Sequence, residues 1–370
     1  MKLKQLPEDF VVKEIADIKL NEAGKYACFI LRKKNWTTTN AIEKIADFLG
    51  KNPRAFNNSG MKDKNAVTEQ YVSAYELKKE DIQRVKIKDI KLKFIGFIEK
   101  PLGLASHTAN SFEILARDLE KPLARIKYFS NYYDEQRFGG IRHNMAAVGK
   151  QIIKGRFEDA MKAYLLYPFK GETEEHKKFR KEMEANWRKL KAGMAPGYLI
   201  EKKAVAWLER NPGDYIGAFA ALPKQVSTLF IHAYQSKLFN EILAAYIKEN
   251  CEYFEINHCF GKIPMCIQNV KLQIPLIGYD YAGFKVDKAI KKYADAVLEK
   301  EFIKPEMFHI KQIPYMESRT VMRDASAEVQ GLMFSKDERD ELNNGRKKQK
   351  AVFVLKKGCF GTIAMKAMEH

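Results

Sequence analysis

Short apolar runs that alternate with polar residues occupy much of the first third of the chain. They are rich in β-branched and aromatic residues and lie between turn-prone stretches, which is typical of strands: "DFVVKEI", "YACFILRKK", "VTEQYVSAYEL", "IKLKFIGFIEK" and "NSFEILARDL". The first two flank the turn-prone "LNEAGK" and predict a β-hairpin. After them, Ile42, Ile45, Ala46 and Leu49 share one helical face, and Gly50 marks the end of that predicted helix.

From about Lys121 the apolar residues recur with helical spacing. The predicted helices are "LARIKYFSNYY", "FEDAMKAYLLY", "EEHKKFRKEMEANWRKLKAG", "EKKAVAWLER" and "PKQVSTLFIHAYQSKLFNEILAAYIKE". The C-terminal "AVFVLKKGCFGTIAMKAM" predicts a strand, a Gly turn and a short helix. This order predicts an α+β fold in which the last strand rejoins the first sheet and a mostly helical domain is inserted between them.

Composition adds a core and a strong positive charge to this picture. The 370 residues are long for one ordinary domain, and 46% of them are hydrophobic, so we expect two domains or one domain with a large insertion. The formal net charge of +18 predicts attraction to a polyanion, with nucleic acid as the first candidate. A basic proteome would also produce this charge, and charge alone names no reaction.

Membrane, secretory and metal-binding classes find no support in the sequence. No stretch approaches the roughly 20 apolar residues of a membrane span. The first residues lack the apolar core of a signal peptide, so we expect a cytoplasmic protein. The cysteines form no C-x-x-C pair and are expected to be buried, reduced thiols without a metal: Cys28, Cys251, Cys259, Cys266 and Cys359. P-loop, dinucleotide and zincin motifs are missing from the sequence as well.

Asp63, in "NNSGMKDKNAVTEQY", is the first candidate for chemistry. A lone Asp after a Gly is ordinarily a turn residue. Here Lys62 and Lys64 flank it, and such cations hold a carboxylate ionised and suit a phosphate-bearing ligand. An ionised acid beside a ribose could act on C1′ or as a base.

Two further stretches have the composition of nucleic-acid contacts. "SNYYDEQRFGGIRHN", residues 130–144, combines aromatic rings with Arg137, Arg142 and His143, which suits an RNA-binding loop and equally suits a helix that ends at Gly. The predicted helix around Lys177 to Lys191 carries a basic stripe, but its interspersed Glu residues also fit a solvated surface. The same two interpretations apply to "NGRKKQK", residues 344–350.

Taken in order, six stretches of the chain resemble one known family. "PEDFVVKEI", "GMKDKNAVTEQ", "ANSFEILAR", "NYYDEQRFGG", "AYQSKLFN" and "FVLKKGCFGT" strongly resemble the TruD family of transfer-RNA pseudouridine synthases, over nearly the whole chain. The resemblance implies a catalytic domain with a mixed, mainly antiparallel sheet of pseudouridine synthase type, formed by residues 1–130 and 323–370. It also implies a TRUD-type insertion domain over residues 131–322.

The resemblance assigns residues as well. It places the catalytic carboxylate on Asp63 and substrate-binding positions on Lys4, Phe10, Asn110 and Phe112. From pattern alone Phe10 and Phe112 would be core residues, whereas the resemblance implies that they line a uracil pocket. The chain departs from the family pattern at "SHTAN", where a basic residue and Gly commonly precede the Asn. It departs again at "LKKGCFGT", where "LPxGS(Y/F)AT" is usual.

The resulting hypothesis is an enzyme that isomerises a uridine of tRNA to pseudouridine, at position 13 if the family's specificity carries over. The uridine would leave its stack to reach Asp63, which would attack C1′ or abstract a ribose proton. We expect no cofactor or metal, because the isomerisation is redox-neutral, and a monomer without a membrane or an obligate protein partner. The rival is a non-catalytic RNA-binding or RNA-folding protein, which explains the charge but gives no reason for the acid in "MKDK".

Overall fold

The chain divides into two compact units in the computed structural model, which describes residues 1–103, 106–169, 171–194 and 199–370. Unit 1 consists of Met1–Phe129 and Ala327–His370, and unit 2 consists of Ser130–Ser326. The naming of these units as catalytic domain and insertion domain stays a prediction.

The strands and helices are numbered here in chain order. The strands are β1 (Phe10–Ile15), β2 (Tyr26–Lys34), β3 (Phe56–Asn58), β4 (Val67–Tyr75), β5 (Ile90–Ile98), β6 (Ala109–Leu119), β7 (Tyr128–Ser130), β8 (Phe254–His258), β9 (Gly261–Met265), β10 (Gln273–Leu276), β11 (Val321–Asp324), β12 (Ser326–Glu328), β13 (Gln330–Phe334), β14 (Glu338–Arg339) and β15 (Lys347–Lys356). The helices are α1 (Thr38–Leu49), α2 (Lys79–Gln83), α3 (Met145–Ile153), α4 (Phe157–Leu165), α5 (Glu174–Ala185), α6 (Leu199–Arg210), α7 (Tyr215–Ala220), α8 (Lys224–Asn250), α9 (Lys288–Glu301) and α10 (Gly361–Met368).

Unit 1 is built on a nine-stranded sheet with the main order β13-β15-β6-β1-β4-β2-β5. β1 and β4 run parallel, whereas β1 and β6, β6 and β15, β2 and β4, and β2 and β5 pair antiparallel. The predicted return of the C-terminal strand is confirmed, because β15 pairs with β6 from Lys347↔Leu119 to Lys356↔Ala109. The sheet is therefore mixed and mainly antiparallel, as predicted.

The predicted hairpin of β1 and β2 is wrong. β4 lies between the two strands and pairs with β2 along its whole length, from Tyr26↔Tyr75 to Lys34↔Val67. β4 is buried on both faces over much of its length, so it gains most from a central position with a neighbour on each side. The order of β1 and β2 along the chain does not reveal that β4 lies between them in the sheet.

The predicted helix "LARIKYFSNYY" is also wrong, since the segment is extended and includes β7. Its backbone groups find partners elsewhere in unit 1: Leu123 N donates to Gln349 Oε1 at 2.8 Å, and Ala124 N donates to the Met368 carbonyl at 2.7 Å. Leu123, Ile126 and Phe129 are buried in this extended form. Their helix-like spacing was therefore satisfied by tertiary contacts rather than by a helix.

One face of the sheet carries both α1 and α10. Directly paired residues share a face, so Val12 of β1 lies on the same face as Phe112 of β6 and Thr68 of β4, and Thr68 in turn pairs with Lys33 of β2. α1, capped by Thr37 and ended by Gly50 as predicted, packs its apolar side on the β2 and β4 part of this face. α10 begins at Gly361, directly against the Phe112 ring.

Unit 2 is mostly helical, as the periodicity predicted. Its long helix α8 is buried along much of its length and packs against α3, where a side chain at Gly149 would meet the Phe230 carbonyl at 2.0 Å. The basic helix α5 ends at Ala185, earlier than the predicted run to Gly193, and only Met183 of its residues is buried. Short hairpins such as β8 and β9 complete the unit.

Among the described residues, no helix combines the length and apolarity needed to cross a membrane. Cys28 and Cys266 are buried and the other three cysteines are partly exposed, so the expectation of buried thiols holds for two of the five. Within the same ranges, no group of three or more His, Cys, Asp or Glu residues could hold a metal ion.

Candidate active site

Asp63 lies in a loop of residues 59–66, called here the Asp63 loop, between β3 and β4. Buried side chains from four different elements hold this loop to the sheet. The contacts are Ser59 Oγ donating to Glu14 Oε2, Gln70 Nε2 donating to the Gly60 carbonyl, Lys62 N donating to Thr38 Oγ1, and Lys33 Nζ donating to the Asp63 carbonyl. The loop backbone is thereby fixed without a regular secondary structure of its own.

The Asp63 carboxylate is paired with Lys4. Lys4 Nζ lies 2.5 Å from Asp63 Oδ2, and the Lys4 and Asp63 side chains are 25% and 17% exposed. Lys4 has a left-handed backbone (φ 59°), and its ammonium also lies 4.1 Å from the centroid of the Phe10 ring. Among the described residues, Lys4 is the one side chain that donates to this carboxylate, so the remaining oxygen lone pairs are available to a ligand.

Lys62 connects Glu14 to Asn110. Its ammonium lies 2.8 Å from Glu14 Oε1 and donates to Asn110 Oδ1 at 3.0 Å. Because an ammonium only donates, it selects the oxygen of the Asn110 amide and leaves the amide NH₂ group as the group that can face a ligand. An NH₂ group of this kind is complementary to a carbonyl oxygen and not to another donor.

His107 and Glu14 lie beneath the loop. His107 Nδ1 is 4.0 Å from Glu14 Oε1 and is buried without a hydrogen bond among the described residues. Burial lowers the pKa of His107, and the neighbouring Glu14 opposes this shift while Lys62 and Lys357 add to it. Gly60 passes over the imidazole, and a Cβ atom at this position would lie 3.6 Å from His107 Cε1. The "SHTAN" departure from the family pattern thus places a histidine under the Asp63 loop.

Phe10 and Phe112 are packed below the carboxylate, only 3% and 6% exposed. The Phe112 ring stacks on Phe353 with centroids 5.5 Å apart and meets the Phe10 ring edge-on at 6.2 Å. A methyl group at Gly361 would lie 2.7 Å from Phe112 Cδ1, so the Gly that stands where the family pattern has Ala lies directly against this ring. The structure thus brings all five predicted site residues together in unit 1, with the two rings as an apolar floor.

The aromatic stretch at 130–144 is mostly internal to unit 2. Tyr132 and Phe138 are fully buried, Tyr132 Oη donates to the Pro264 carbonyl at 2.7 Å, and Gly139 ends a short helical turn with a left-handed φ of 101°. Arg142 pairs with Glu201. These contacts favour the interpretation as a packed helix end over rings that support bases.

The two other basic segments are partly neutralised. On α5, Lys177 pairs with Glu174 and Arg180 with Glu172. In residues 344–350, Lys347 Nζ lies 2.7 Å from Asp337 Oδ2 and Lys348 Nζ lies 2.6 Å from Glu341 Oε2. Both segments therefore have the character of a solvated, ion-paired surface.

Sequence reasoning missed Lys33 and Glu14, although alternation along the strands could have found them. By alternation, Glu14 lies on the same face of β1 as Phe10 and Val12, and Lys33 lies on the same face of β2 as Phe29 and Leu31. A charged residue at a position that alternation assigns to the buried face is unusual. This signal stands in the sequence independently of any family.

Comparisons with known proteins agree with these motifs. The family model of tRNA pseudouridine synthase D (TruD) matches residues 1–258. The tRNA pseudouridine synthase D of Aquifex aeolicus is 30% identical over 100% of this chain and 98% of its own length. The candidate enzyme of the same name from Nanoarchaeum equitans is 32% identical over 100% of this chain and 98% of its own.

A solved structure extends the agreement to the fold. The crystal structure of a candidate tRNA pseudouridine synthase D from Methanosarcina mazei has a TM-score of 0.71 and 27% identity, and it covers 99% of this chain and 93% of its own. The predicted α+β fold class and the predicted isomerase are thereby confirmed. The chain belongs to the TruD family of tRNA pseudouridine synthases.

Proposed function

We propose that Asp63 carries out the isomerisation of uridine to pseudouridine in tRNA, at position 13 as the resemblance implies, on a base that has left its stack. The observation that carries the proposal is a carboxylate on an anchored loop, paired with one lysine and still 17% exposed. Lys4 pairs with one oxygen of the carboxylate, while the other oxygen stays available to the ribose. The cytoplasm, as the expected place of action, belongs to the same proposal.

The reaction breaks the N1–C1′ bond, keeps the uracil bound while it rotates, and forms a C5–C1′ bond. The C5 proton is lost and N1 gains a proton, so atoms and charge balance without an oxidant. Asp63 acts either by attack at C1′ or by abstraction of a ribose proton, and both routes need the same ionised oxygen near the sugar.

Neighbouring residues supply the base site in this proposal. The NH₂ group of Asn110, oriented by Lys62, would donate to a uracil carbonyl, and Phe10 and Phe112 would form the apolar floor. Lys4 covers the Phe10 ring and Phe353 stacks on Phe112, so these rings would bound the pocket with their exposed edges rather than stack on the base.

The Asp63→Asn variant tests the assignment. Pseudouridine in a tRNA transcript, read as carbodiimide-dependent stops of primer extension, should fall to background, while the dissociation constant for the transcript stays within about threefold, because the change removes a charge from the chemistry and leaves the basic surface intact. Asp47→Asn, an exposed acid on α1 paired with Lys44, is the matched control and should keep full activity. Turnover of Asp63→Asn near that of the unmodified protein would refute the role of Asp63. RNA binding without any pseudouridine in the unmodified protein would favour the non-catalytic rival.

A further inference from the structure

Lys33 is a buried lysine that no motif singles out. Its residue is 1% exposed, at the end of β2, on the sheet face that carries α1. An ammonium in such a place has a large desolvation cost, and an apolar side chain of similar length would often be at least as stable. A lysine retained there therefore calls for an explanation other than stability.

The contacts of Lys33 converge on the peptide groups around Asp63. Lys33 Nζ donates to the carbonyl oxygens of Trp36 at 2.7 Å and of Asp63 at 2.8 Å, and more weakly to the Lys62 carbonyl at 3.5 Å. The Lys62 and Asp63 carbonyls belong to the two peptide planes that meet at the Asp63 Cα. One cation thus restrains both backbone torsions of Asp63, and with them the direction in which its carboxylate leaves the backbone.

We propose that Lys33 is a positioning residue for the isomerisation: its buried ammonium fixes the backbone of Asp63 so that the carboxylate meets the ribose in the productive geometry. The inference rests on the proposed role of Asp63 and deepens it. It differs from the role of Lys4, which contacts the carboxylate itself. A carboxylate misplaced by about 1 Å can lose about a hundredfold in rate, so such a restraint has a measurable consequence.

Lys33 should lose its charge within the pH range in which the enzyme can be assayed. Burial lowers the pKa of Lys33 to about 8, with Asp63 opposing the shift and Lys62 adding to it. The facing groups are Asp63 and Lys62 on the loop, with Lys4 beyond Asp63; Thr68 of β4 and Ile90 of β5, its partners in register, do not titrate. Lys34, paired with Glu8, and Asp89, whose carbonyl accepts from Lys34 N, occupy the adjoining positions.

The sign of the expected pH dependence follows from these contacts. Below about pH 8 the ammonium is intact and holds the two carbonyls, and above it the neutral amine holds them less strongly. The rate of the chemical step should therefore fall as the pH rises through this value. The affinity for tRNA should change far less over the same range.

The experiment compares Lys33→Gln and Lys33→Met with Lys34→Gln, which changes the adjacent, partly exposed lysine on the opposite face. Single-turnover rates are measured by release of tritium from 5-tritiated uridine in a tRNA transcript, together with the dissociation constant and the urea midpoint. We expect the Lys33 variants to lose about ten- to a hundredfold in rate at pH 7, with affinity within about threefold. Lys34→Gln should match the unmodified protein in all three quantities.

The pH profile separates positioning from simple folding support. The unmodified protein should show an alkaline decline near pH 8, and folded Lys33→Gln should lack it. A folded Lys33→Gln with a rate within about threefold of the unmodified protein, or with the same alkaline decline, would overturn the inference. If neither variant folds, the unmodified protein decides, and a rate that is flat from about pH 7 to about pH 9 overturns the inference.

Failure of this inference is distinguishable from failure of the proposed function. An active unmodified protein, an inactive Asp63→Asn and an unimpaired Lys33→Gln would leave Asp63 in place and remove Lys33. An unmodified protein that forms no pseudouridine would instead remove the proposed function, whatever Lys33 does to stability.

Discussion

Unit 1 contains two clusters that combine acidic and basic side chains but differ in what their acids can still bind. In the Arg117 cluster, Arg117 Nε lies 3.0 Å from both oxygens of Asp9, and Nη1 donates to Asp340 at 3.0 Å and to Glu341 at 2.9 Å. Asp340 accepts further bonds from Asp118 N at 2.9 Å and Asn343 at 2.8 Å. In the Asp63 loop, by contrast, Asp63 has one side-chain donor among the described residues, Lys4.

The difference lies in the hydrogen-bonding capacity that each acid has left. Burial alone would raise the pKa of Asp340, but hydrogen bonds from Asp118 N, Asn343, Leu342 N and Arg117 outweigh it and hold the pKa well below its usual range. Its oxygens have no capacity for a ligand, so the cluster can only hold the structure together. An acid becomes available for chemistry when its backbone is anchored and its carboxylate is not saturated, which is the arrangement at Asp63.

Substitution of Arg117 is expected to have the largest effect and tests whether its cluster only stabilises the fold. Arg117→Met should destabilise the fold by about 3 to 5 kcal/mol, because it leaves buried carboxylates without their cation. Urea unfolding measures the loss, and the single-turnover rate per folded molecule should stay within about twofold. A rate that falls with the stability would show that the cluster also shapes the active site.

Glu14 tests the boundary between the two kinds of cluster. Its side chain is fully buried, and it accepts from Ser59 and from Tyr71 N at 2.9 Å while pairing with Lys62. Glu14→Gln keeps the shape but removes the charge, so we expect about 1 to 3 kcal/mol of lost stability in urea and also a slower chemical step. Asp63→Asn is the control, which should slow the reaction without this loss of stability. Lost stability with an unchanged rate would group Glu14 with Arg117.

Acid should act on the Arg117 cluster with a smaller, graded effect. Hydrogen bonds from Lys348 and Arg117 lower the pKa of Glu341 to about 2. Because the folded pKa values of Glu341 and Asp340 lie below their unfolded values, their contribution to stability is present above about pH 4.5 and is lost as the pH falls toward about 2. Urea unfolding across this range should show a shallower pH dependence in Arg117→Met. An identical dependence in both proteins would mean that the acids are stabilised by their other donors.

Local pattern predicted the elements of unit 1 better than their arrangement. Helix α1 was predictable because Ile42, Ile45 and Leu49 share a face and Gly50 takes the left-handed conformation that ends it. The strands that pair with β1 were not predictable, because the position of β4 in the sheet depends on burial across the whole sheet. Likewise Leu123, Ile126 and Phe129 have helical spacing, yet contacts distant in sequence decide their conformation.

The same limit applies to the site. The resemblance named Asp63, Lys4, Phe10, Asn110 and Phe112, and the structure brings these residues together. Nothing in the sequence marks Thr38 and Gln70 as functional residues. Their role is to form hydrogen bonds with the Asp63 loop, and these contacts exist only once the sheet has folded. Of the residues that support the site, only Lys33 and Glu14 could have been found from the sequence, because they are charged residues at strand positions that alternation assigns to the buried face.

The contact between Gly361 and Phe112 constrains how this protein can evolve. With 2.7 Å between a Cβ at position 361 and the ring, even the smallest side chain there requires the ring or the start of α10 to move. The two positions are therefore coupled, because a larger residue at 361 becomes acceptable only if the ring at 112 or the start of α10 shifts. Recombination between relatives that exchanges the C-terminal strand and helix without β6 would separate the pair and disturb the floor under Asp63.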